Sequence, residues 1–199
     1  MVALDAYLEC MGDTIVQYLP TLMDRLIQLL DNAPDKLKSI AVGAIGSSAH
    51  AAKEQFQPYF EATMTRIVPF LELIPEDGET GEQGTKTDLR GVAQDTVGTL
   101  AEAVGKEAFR PYYQPTMELA FKATALNNPR LKECSFIYFA VMTKVYGEEF
   151  APLLPTVMPL LIASLKQSEI GDEEDESTLA LTGEFQMPRP RPAPEVTDC

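Results

Sequence analysis

The sequence is poor in the residues on which most catalytic and metal sites depend. It holds one histidine, three cysteines and no tryptophan among 199 residues. With His50 as the sole histidine, Ser-His-Asp and Cys-His catalysis and the usual zinc-ligand sets are excluded unless another chain supplies the missing groups. Neither a Walker-type GK[ST] sequence nor a GxGxxG sequence after a strand occurs. We therefore predict that the protein is not an enzyme and has no catalytic residue, cofactor or metal.

The three cysteines do not predict a disulfide framework. Cys10, Cys134 and Cys199 are widely spaced, form no CxxC pair and are odd in number. This pattern is typical of a reduced intracellular protein.

Sequence signals for export and for membrane insertion are also scarce. The segment Met1–Cys10 holds Asp5 and Glu9 but no basic residue, which argues against a secretory or mitochondrial signal. The longest apolar run, Leu153–Leu165, contains two prolines and is too short to span a bilayer. We expect this run to form a buried helix, and we expect no membrane insertion.

Positive charge is in short supply, with 16 Lys and Arg against 30 Asp and Glu and a formal net charge of −14. Such a chain repels the phosphates of nucleic acids and anionic lipids. A basic protein partner fits this charge better, and we expect no direct contact with nucleic acid. The 45% share of hydrophobic residues is enough to bury a continuous core.

A short pattern, Pro or Ala followed by Thr and then closely by Met, recurs four times along the chain. Its threonines are Thr21, Thr63, Thr116 and Thr156, separated by 42, 53 and 40 residues. The longer middle interval contains the Gly- and Glu-rich stretch 76–86, which is typical of an inserted loop. Without that insertion, the period is close to that of HEAT or armadillo units, which contain two or three helices each.

A second pattern follows each of the first three markers and predicts the other helix of each unit. An apolar residue precedes a basic residue, and small residues follow at helical spacing, as in Leu89-Arg90-Gly91-Val92-Ala93. This spacing places the leucine and a later apolar residue along one stripe of a helix, where small side chains let two helices approach closely. In the three copies the stripe contains Leu37 and Ile45, Leu89 and Val97, and Leu131 and Phe139.

Together, the two patterns predict an all-α fold, an α-solenoid of about three to four HEAT-type helix pairs within a longer superhelix. The predicted first helices span Tyr18–Leu30, Pro58–Leu73, Pro111–Leu126 and Pro152–Lys166. The predicted second helices span Asp35–Gln55, Thr87–Glu107 and Pro129–Glu149. We expect kinks at Pro69 and Pro159, and we interpret Met1–Gln17 as the second helix of a preceding unit.

The solenoid is expected to occupy residues 1–168, with the inserted acidic loop near 76–86. A second acidic loop is expected at 169–178 and a Pro-rich, disordered tail at 179–199. In the tail, Pro188, Pro190, Pro192 and Pro194 alternate with arginine or alanine, which favours an extended chain over a helix.

The motifs resemble those of one family in particular. Leu89-Arg90-Gly91-Val92-Ala93, with Gly98-Thr99-Leu100-Ala101 after it, matches the HEAT consensus. Turns of the Phe-x-Pro type, each followed by a Met-containing helix, resemble those of the importin-β (karyopherin-β) family of nuclear transport receptors, and within it the beta-four type of importin subunit. These turns are Phe56-Gln57-Pro58-Tyr59-Phe60, Phe109-Arg110-Pro111-Tyr112-Tyr113 and Phe150-Ala151-Pro152-Leu153-Leu154, and the resemblance covers about residues 1–176.

This resemblance implies a nuclear import receptor segment that binds basic cargo such as histones or ribosomal proteins and releases it in response to GTP-bound Ran. It places the second helices on a concave face for cargo and Ran, and the first helices outward toward Phe-Gly nucleoporins. It also implies residence in cytoplasm and nucleus, including the nuclear pore. The alternative is a HEAT-repeat scaffold that assembles a multi-protein complex outside transport.

The candidate partner-binding residues are the carboxylates of the two acidic loops, which could contact Lys and Arg of a basic partner. In the importin-β family an acidic loop between the two helices of one repeat contacts Ran. The same charges are also compatible with solvated loops that bind nothing, and they lack the ligand spacing of a calcium-binding EF-hand. The candidates are Glu76, Asp77, Glu79, Glu82, Asp172, Glu173, Glu174, Asp175 and Glu176.

Two further groups are interpreted as structural. Lys38, Arg90 and Lys132 repeat at one position, and we expect each to pair with an acidic residue of a neighbouring unit. The aromatic residues Phe136, Tyr138, Phe139 and Tyr146 are expected to pack in the core, although a pocket for a nucleoporin phenylalanine is the alternative.

Overall fold

A computed structural model describes residues 12–74, 85–126 and 128–166 of the chain. These residues form helices and no strand, which confirms the all-α prediction. The α-helices are α1 (Leu19–Asn32), α2 (Asp35–Ala52), α3 (Gln57–Ile67), α4 (Thr85–Thr124), α5 (Pro129–Tyr146) and α6 (residues 154–166). Short 3-10 helices cover Gly12–Gln17, Lys53–Phe56, Val68–Glu72 and Gly147–Leu153.

The helices succeed one another in the predicted pairs. The pairs are α1 with α2, α3 with the N-terminal part of α4, and the C-terminal part of α4 with α5; α6 is the first helix of a fourth unit. Two helices meet within α4, because Gly105 has the non-helical dihedral angles φ 80° and ψ 169°. The chain divides into two compact units, Met1–Val157 and Met158–Cys199, and the structure describes only residues 158–166 of the second.

Each second helix ends at a residue with positive φ. These residues are Lys53 (φ 49°), Gly105 (φ 80°) and Gly147 (φ 54°), 52 and 42 residues apart. A fully buried phenylalanine follows within three or four residues: Phe56, Phe109 and Phe150. The sharp turn and the anchored ring explain why the Phe-x-Pro sequence recurs, because proline then opens the next helix at little cost.

The helix boundaries agree with the sequence patterns to within a few residues. The second helix predicted to end at Gln55 stops earlier, at Ala52, because of the turn at Lys53. Pro69 falls in the 3-10 segment Val68–Glu72, so the predicted distortion of that first helix is confirmed. Of the predicted helix Met1–Gln17, the described part Gly12–Gln17 forms a 3-10 helix, and the remainder lies outside the described residues.

One continuous core runs between the helix pairs. The predicted stripe is buried at Leu89, Val97, Leu131 and Phe139, but the prediction is wrong for Leu37, which is exposed. Close helix approach is confirmed at Gly46, where an added Cβ would lie 3.2 Å from the Thr96 Oγ1 of α4. Any larger side chain there would push α2 and α4 apart.

The aromatic group of α5 packs in the core, as predicted. Tyr138, Phe139 and Tyr146 are buried and Phe136 is half-buried. The phenol oxygen of Tyr138 lies 2.7 Å from the Thr116 hydroxyl, which satisfies both groups inside the protein.

The basic residues at the repeated position do not form the expected ladder between units. Lys38 pairs with Asp35 of its own helix at 3.8 Å and lies 5.8 Å from the ring centre of Phe70. Arg90 is buried and donates to the carbonyl oxygen of Leu73 at 2.6 Å, and Lys132 has no ion pair within the described residues. The prediction fails because, among the described residues, no carboxylate of a neighbouring unit pairs with any of these three side chains.

Among the described residues, one helical stretch, Pro129–Lys166, is long and apolar enough to cross a membrane by length and composition alone. Only 11% of its most apolar window of 18 residues is buried. The stretch is not a single α-helix, however, because the backbone turns at Gly147 and continues as a 3-10 helix to Leu153. A membrane-spanning helix would need this backbone to be regular or protected within the protein.

Candidate partner-binding surfaces

The acidic-loop candidates lie in stretches 75–84 and 167–199, outside the described residues. This applies to Glu76, Asp77, Glu79, Glu82, Asp172, Glu173, Glu174, Asp175 and Glu176. Their role in partner binding therefore stays a prediction.

The negative charge of the chain is concentrated in those same stretches. The described residues carry 15 of the 30 acidic side chains and 14 of the 16 basic side chains, so they are almost neutral. The remaining residues, 1–11, 75–84, 127 and 167–199, carry 15 acidic and two basic side chains. The negative field of the chain therefore originates in the sequence of these stretches rather than in the helices.

A buried arginine holds the backbone at Leu73, just before the first acidic stretch. Arg90, on the N-terminal part of α4, donates a hydrogen bond to the carbonyl oxygen of Leu73. Leu73 lies two residues before the acidic stretch 75–84. Burial lowers the pKa of Arg90 from its ordinary value. The guanidinium stays charged all the same, since its unperturbed pKa is far above neutrality. The other end of the stretch enters α4 at Thr85.

A row of three carboxylates lies along the N-terminal part of α4. Asp88, Asp95 and Glu102 are seven residues apart, which places them on one side of the helix two turns from each other. Asp88 and Glu102 are exposed and Asp95 is half-buried. The sequence analysis missed this row, although its spacing of seven within a predicted second helix was a readable signal.

The basic side chains nearest to the row form only long ion pairs with its carboxylates. The nearest basic atom to Asp95 belongs to Arg130 of α5 at 3.7 Å, and the nearest to Glu102 belongs to Lys144 at 3.6 Å. Asp88 instead accepts a hydrogen bond from the hydroxyl of Ser39 at 2.5 Å. Ion pairs of this length at the surface contribute little stability, so a basic side chain of a partner could replace them.

Asp95 has the least favourable environment of the three. Burial raises its pKa above the ordinary value, although the guanidinium of Arg130 acts in the opposite direction. Its Oδ2 accepts a weak bond from the Cys134 thiol at 3.7 Å, and its Oδ1 has no hydrogen-bond partner among the described residues. Burial also raises the pKa of Cys134 to about 12, so that thiol stays protonated near neutrality. Because the Oδ1 atom is itself buried, a cation from outside would have to reach Asp95 through Oδ2.

The second helices as a whole are not acidic. Within α2, residues 85–104 of α4 and α5, there are seven Lys and Arg and five Asp and Glu. The excess of acidic residues therefore lies outside these helices, apart from the row on α4.

A groove of about 440 Å³ lies on the first-helix side, between the C-terminal part of α4 and the segment Gly147–Leu153. Met117, Phe121 and Leu153 give it apolar walls, with the carboxylates of Glu118 and Glu149 at its edge. Tyr113 stacks on Tyr146 at 3.9 Å between ring centres, which holds one wall in place. The complete lining is Tyr113, Gln114, Met117, Glu118, Phe121, Glu149, Pro152 and Leu153.

Ion pairs also connect the C-terminal part of α4 to the segment Gly147–Leu153. Glu149 pairs with Lys106 and with Arg110, the latter at 3.2 Å, and Arg110 also pairs with Glu107 at 3.0 Å. These contacts lower the pKa of Glu149 from its ordinary value. No group of His, Cys, Asp or Glu suited to a metal ion occurs within residues 12–74, 85–126 and 128–166.

Comparison with known proteins identifies relatives of the same architecture. Residues 1–141 match the family model described as importin subunit beta-1-like, TPR repeats. A probable importin subunit beta-4 of Schizosaccharomyces pombe is 43% identical over 169 residues, which are 83% of this chain and 15% of that protein. Human importin-4 is 34% identical over 138 residues, which are 67% of this chain and 12% of that protein. The chain thus spans about 15% of the length of such relatives.

Solved structures of the karyopherin Kap121p share the fold. The structure of Kap121p bound to Ste12p has a TM-score of 0.70 and 25% identity, covering 81% of this chain and 14% of that one. The structure of Kap121p bound to Nup53p gives a TM-score of 0.69 at 24% identity, covering 81% and 14%.

The spacing of the helix pairs favours HEAT units over the shorter TPR units named in the family model. Gly105 and Gly147 close successive second helices 42 residues apart, whereas a TPR unit has 34 residues. The family comprises transport receptors rather than enzymes, and its members shuttle between cytoplasm and nucleus. The repeated helix pairs, the matching family model and the 43% identical relative together show that this chain belongs to the importin-β (karyopherin-β) family of nuclear transport receptors.

Proposed function

We propose that this chain is the part of a nuclear import receptor that binds basic cargo, such as histones or ribosomal proteins, and releases it when GTP-bound Ran binds. The observation that carries the proposal is the separation of charge: an almost neutral set of helices with acidic stretches at 75–84 and 167–199. Acidic stretches of this kind attract Lys- and Arg-rich chains over a distance and raise their association rate.

The carboxylate row supplies the fixed part of the cargo site. From Asp88 to Glu102 the row extends about 21 Å, at 1.5 Å per helical residue, which matches about six residues of an extended peptide. Arg90 binds the carbonyl oxygen of Leu73, two residues before the 75–84 stretch, close in sequence to the start of the row. In this proposal, cargo is first attracted over a distance by the acidic stretches and then binds the three carboxylates of the row.

The outer groove is the proposed contact for a Phe-Gly nucleoporin. Its apolar walls and its size suit one phenylalanine ring with adjacent backbone. Among the structural relatives, Kap121p has been solved bound to Nup53p. We expect a receptor with these contacts to occupy the cytoplasm, the nucleus and the nuclear pore.

The cargo site is tested by the affinity for a fluorescent Lys- and Arg-rich histone tail peptide. Asp88→Asn with Asp95→Asn and Glu102→Gln should weaken binding about tenfold or more, because each lost ion pair contributes up to about 1 kcal/mol. Neutralising Glu76, Asp77, Glu79 and Glu82 should act mainly on the association rate.

A matched control removes three charges from the first-helix side, by Asp24→Asn, Glu54→Gln and Glu61→Gln. Its net charge equals that of the row variant, so a general field effect would weaken binding equally. Equal affinity of the row variant, the control and the unaltered chain would overturn the cargo site.

Transport is separated from the alternative, a scaffold, by competition with GTP-loaded Ran. A receptor loses its basic cargo when Ran is added, whereas a scaffold keeps its partners. For the groove, Leu153→Ser should weaken capture of a Phe-Gly peptide. The neighbouring Leu154→Ser should not, because Leu154 is exposed and does not line the groove.

A further inference from the structure

We propose that a pocket at the Glu102 end of the carboxylate row accepts one arginine side chain of the cargo, and that Lys144 takes the place of that arginine while cargo is absent. The pocket lies between the N-terminal part of α4 and α5 and has a volume of about 330 Å³. Because it belongs to the proposed cargo site, the inference rests on the proposed function. The lining residues are Ala101, Glu102, Gly105, Lys106, Lys144 and Val145.

The pocket offers the two features that a long basic side chain needs. Glu102 supplies a carboxylate for the charged end, and the half-buried Val145 supplies an apolar wall for the aliphatic stem. The space beside Gly105 is open, because no atom beyond its neighbours in the chain lies within 4 Å of the position that a Cβ would take there. A side chain from outside therefore has room to reach Glu102.

Lys144 already places a cation at this carboxylate. Its ammonium nitrogen lies 3.6 Å from Oε1 of Glu102, and its side chain is 72% exposed. An exposed ion pair of this length contributes little stability, so Lys144 can leave Glu102 at little cost. The position of its ammonium group marks the place where the charge of a cargo side chain would bind.

The other basic residue of the pocket is paired with a carboxylate outside it. Lys106 pairs with Glu149, which does not line the pocket and which also binds Arg110 at 3.2 Å. The charge of Lys106 is thereby offset. Among the described residues, Lys144 is the only base that pairs with Glu102, so its departure leaves that carboxylate free for the cargo.

An arginine displaces Lys144 more effectively than a lysine does. A guanidinium can donate two parallel hydrogen bonds to one carboxylate, whereas an ammonium binds it as a point charge. A cargo lysine would thus replace one ammonium contact at Glu102 by another of the same kind. Asp95 cannot accept the two-pronged contact, because its Oδ1 is buried. Selection of arginine therefore belongs to Glu102.

The test uses the whole chain and a set of fluorescent lysine-rich peptides that carry one arginine at successive positions. The all-lysine peptide is the reference. At one position, the arginine should tighten binding about three- to fivefold, as expected for an additional charge-assisted hydrogen bond at an exposed site. Glu102→Gln should abolish this difference, because the guanidinium then lacks its carboxylate.

Removal of the competing lysine should strengthen binding of every peptide in the set. Lys144→Met should raise the affinity about two- to fivefold, whereas in the Glu102→Gln background the same change should have no effect. Lys132→Met is the matched control, because it removes one positive charge from the same helix at a residue with no ion pair among the described residues. Thermal melting of each variant verifies that it folds.

Equal affinity for the all-lysine peptide and every arginine peptide would overturn the proposal. So would a gain from Lys144→Met that is no larger than the gain from Lys132→Met, or one that persists with Glu102→Gln, because either would indicate a general field effect. In these cases the cargo site still stands if the triple variant of the carboxylate row binds more weakly. Equal affinity of that variant and the unaltered chain would overturn the cargo site and the pocket together.

Discussion

At the scale of single residues, side chains at the same position of the repeat differ in burial and in contacts. Lys38, Arg90 and Lys132 occupy one position, yet only Arg90 is buried. Its hydrogen bond to the Leu73 carbonyl oxygen joins the segment that follows α3 to the N-terminal part of α4, the other helix of the same pair. A position conserved in spacing therefore does not predict a conserved contact.

Substitution of this arginine should destabilise the protein far more than substitution of its equivalent in the next unit. Arg90→Met removes a charged donor and leaves a carbonyl unpaired, which should lower the free energy of unfolding by about 1–3 kcal/mol. Lys132→Met should change it by less than about 0.5 kcal/mol. Urea denaturation of both variants measures the difference, and equal losses would contradict the role of Arg90.

The partly buried carboxylate of Asp95 should lower the free energy of unfolding at neutral pH, although it belongs to the proposed cargo site. Burial raises its pKa, so the folded state binds a proton more readily than the unfolded state. Stability from this group therefore rises as pH falls through the raised pKa and levels off below the unfolded value near about 3.9. Asp95→Asn should raise the melting temperature at pH 7, and the gain should disappear in acid.

The same Asp95→Asn variant should bind the basic peptide more weakly. Asp24→Asn, an exposed change on α1, is the control and should alter neither property. A fall in melting temperature at pH 7 would contradict the argument that burial dominates at Asp95.

At the scale of helices, the turns that close the second helices set the repeat. Lys53 (φ 49°, ψ −129°) and Gly147 (φ 54°, ψ −122°) have nearly the same backbone conformation, one that favours glycine. Gly105 turns the chain at the corresponding place within α4. Lysine is thus strained where the other two units have glycine.

Reciprocal substitutions at these turns should have opposite effects. Lys53→Gly relieves strain of about 1–3 kcal/mol at an entropic cost of about 0.5–1 kcal/mol, so the free energy of unfolding should rise by about 1 kcal/mol. Gly147→Ala introduces the strain and should lower it by about 1–3 kcal/mol. Chemical denaturation of the two variants decides the matter, and changes of the same sign would refute it.

The helices could be predicted from sequence because both the period and the Phe-x-Pro turns are local signals. The stripe at Val97 and Phe139 followed from spacing alone, and it is buried. Leu37 was predicted wrongly because its burial depends on a neighbouring helix, which spacing within one helix cannot reveal. The carboxylate row on α4 was not predicted because its three acidic residues are seven positions apart, whereas the sequence prediction rested on dense runs of acidic residues.

At the scale of the whole molecule, the helix pairs from α1 to α5 form an array in which each pair contacts the next. The core is continuous through α2, α4 and α5, whereas α6 exposes most of its residues. In such an array, local stability depends on how many neighbours a unit has.

Hydrogen–deuterium exchange should therefore be slowest in the middle of the array. Amides of residues 85–104 and of α5 should exchange more slowly than those of α6, because they lie in the continuous core whereas most residues of α6 are exposed. Mass spectrometry of peptic fragments measures this order. Faster exchange in α5 than in α6 would contradict it.

The separation of charge between helices and connecting stretches has an evolutionary consequence. Because the described helices are almost neutral, the residues that set the spacing of the repeat carry little of the excess charge. Under the proposed function, mutation of the 75–84 stretch changes the strength of attraction for basic proteins while the residues of the core stay the same. Descendants of one array can diverge in the partners they select while the architecture that carries them stays the same.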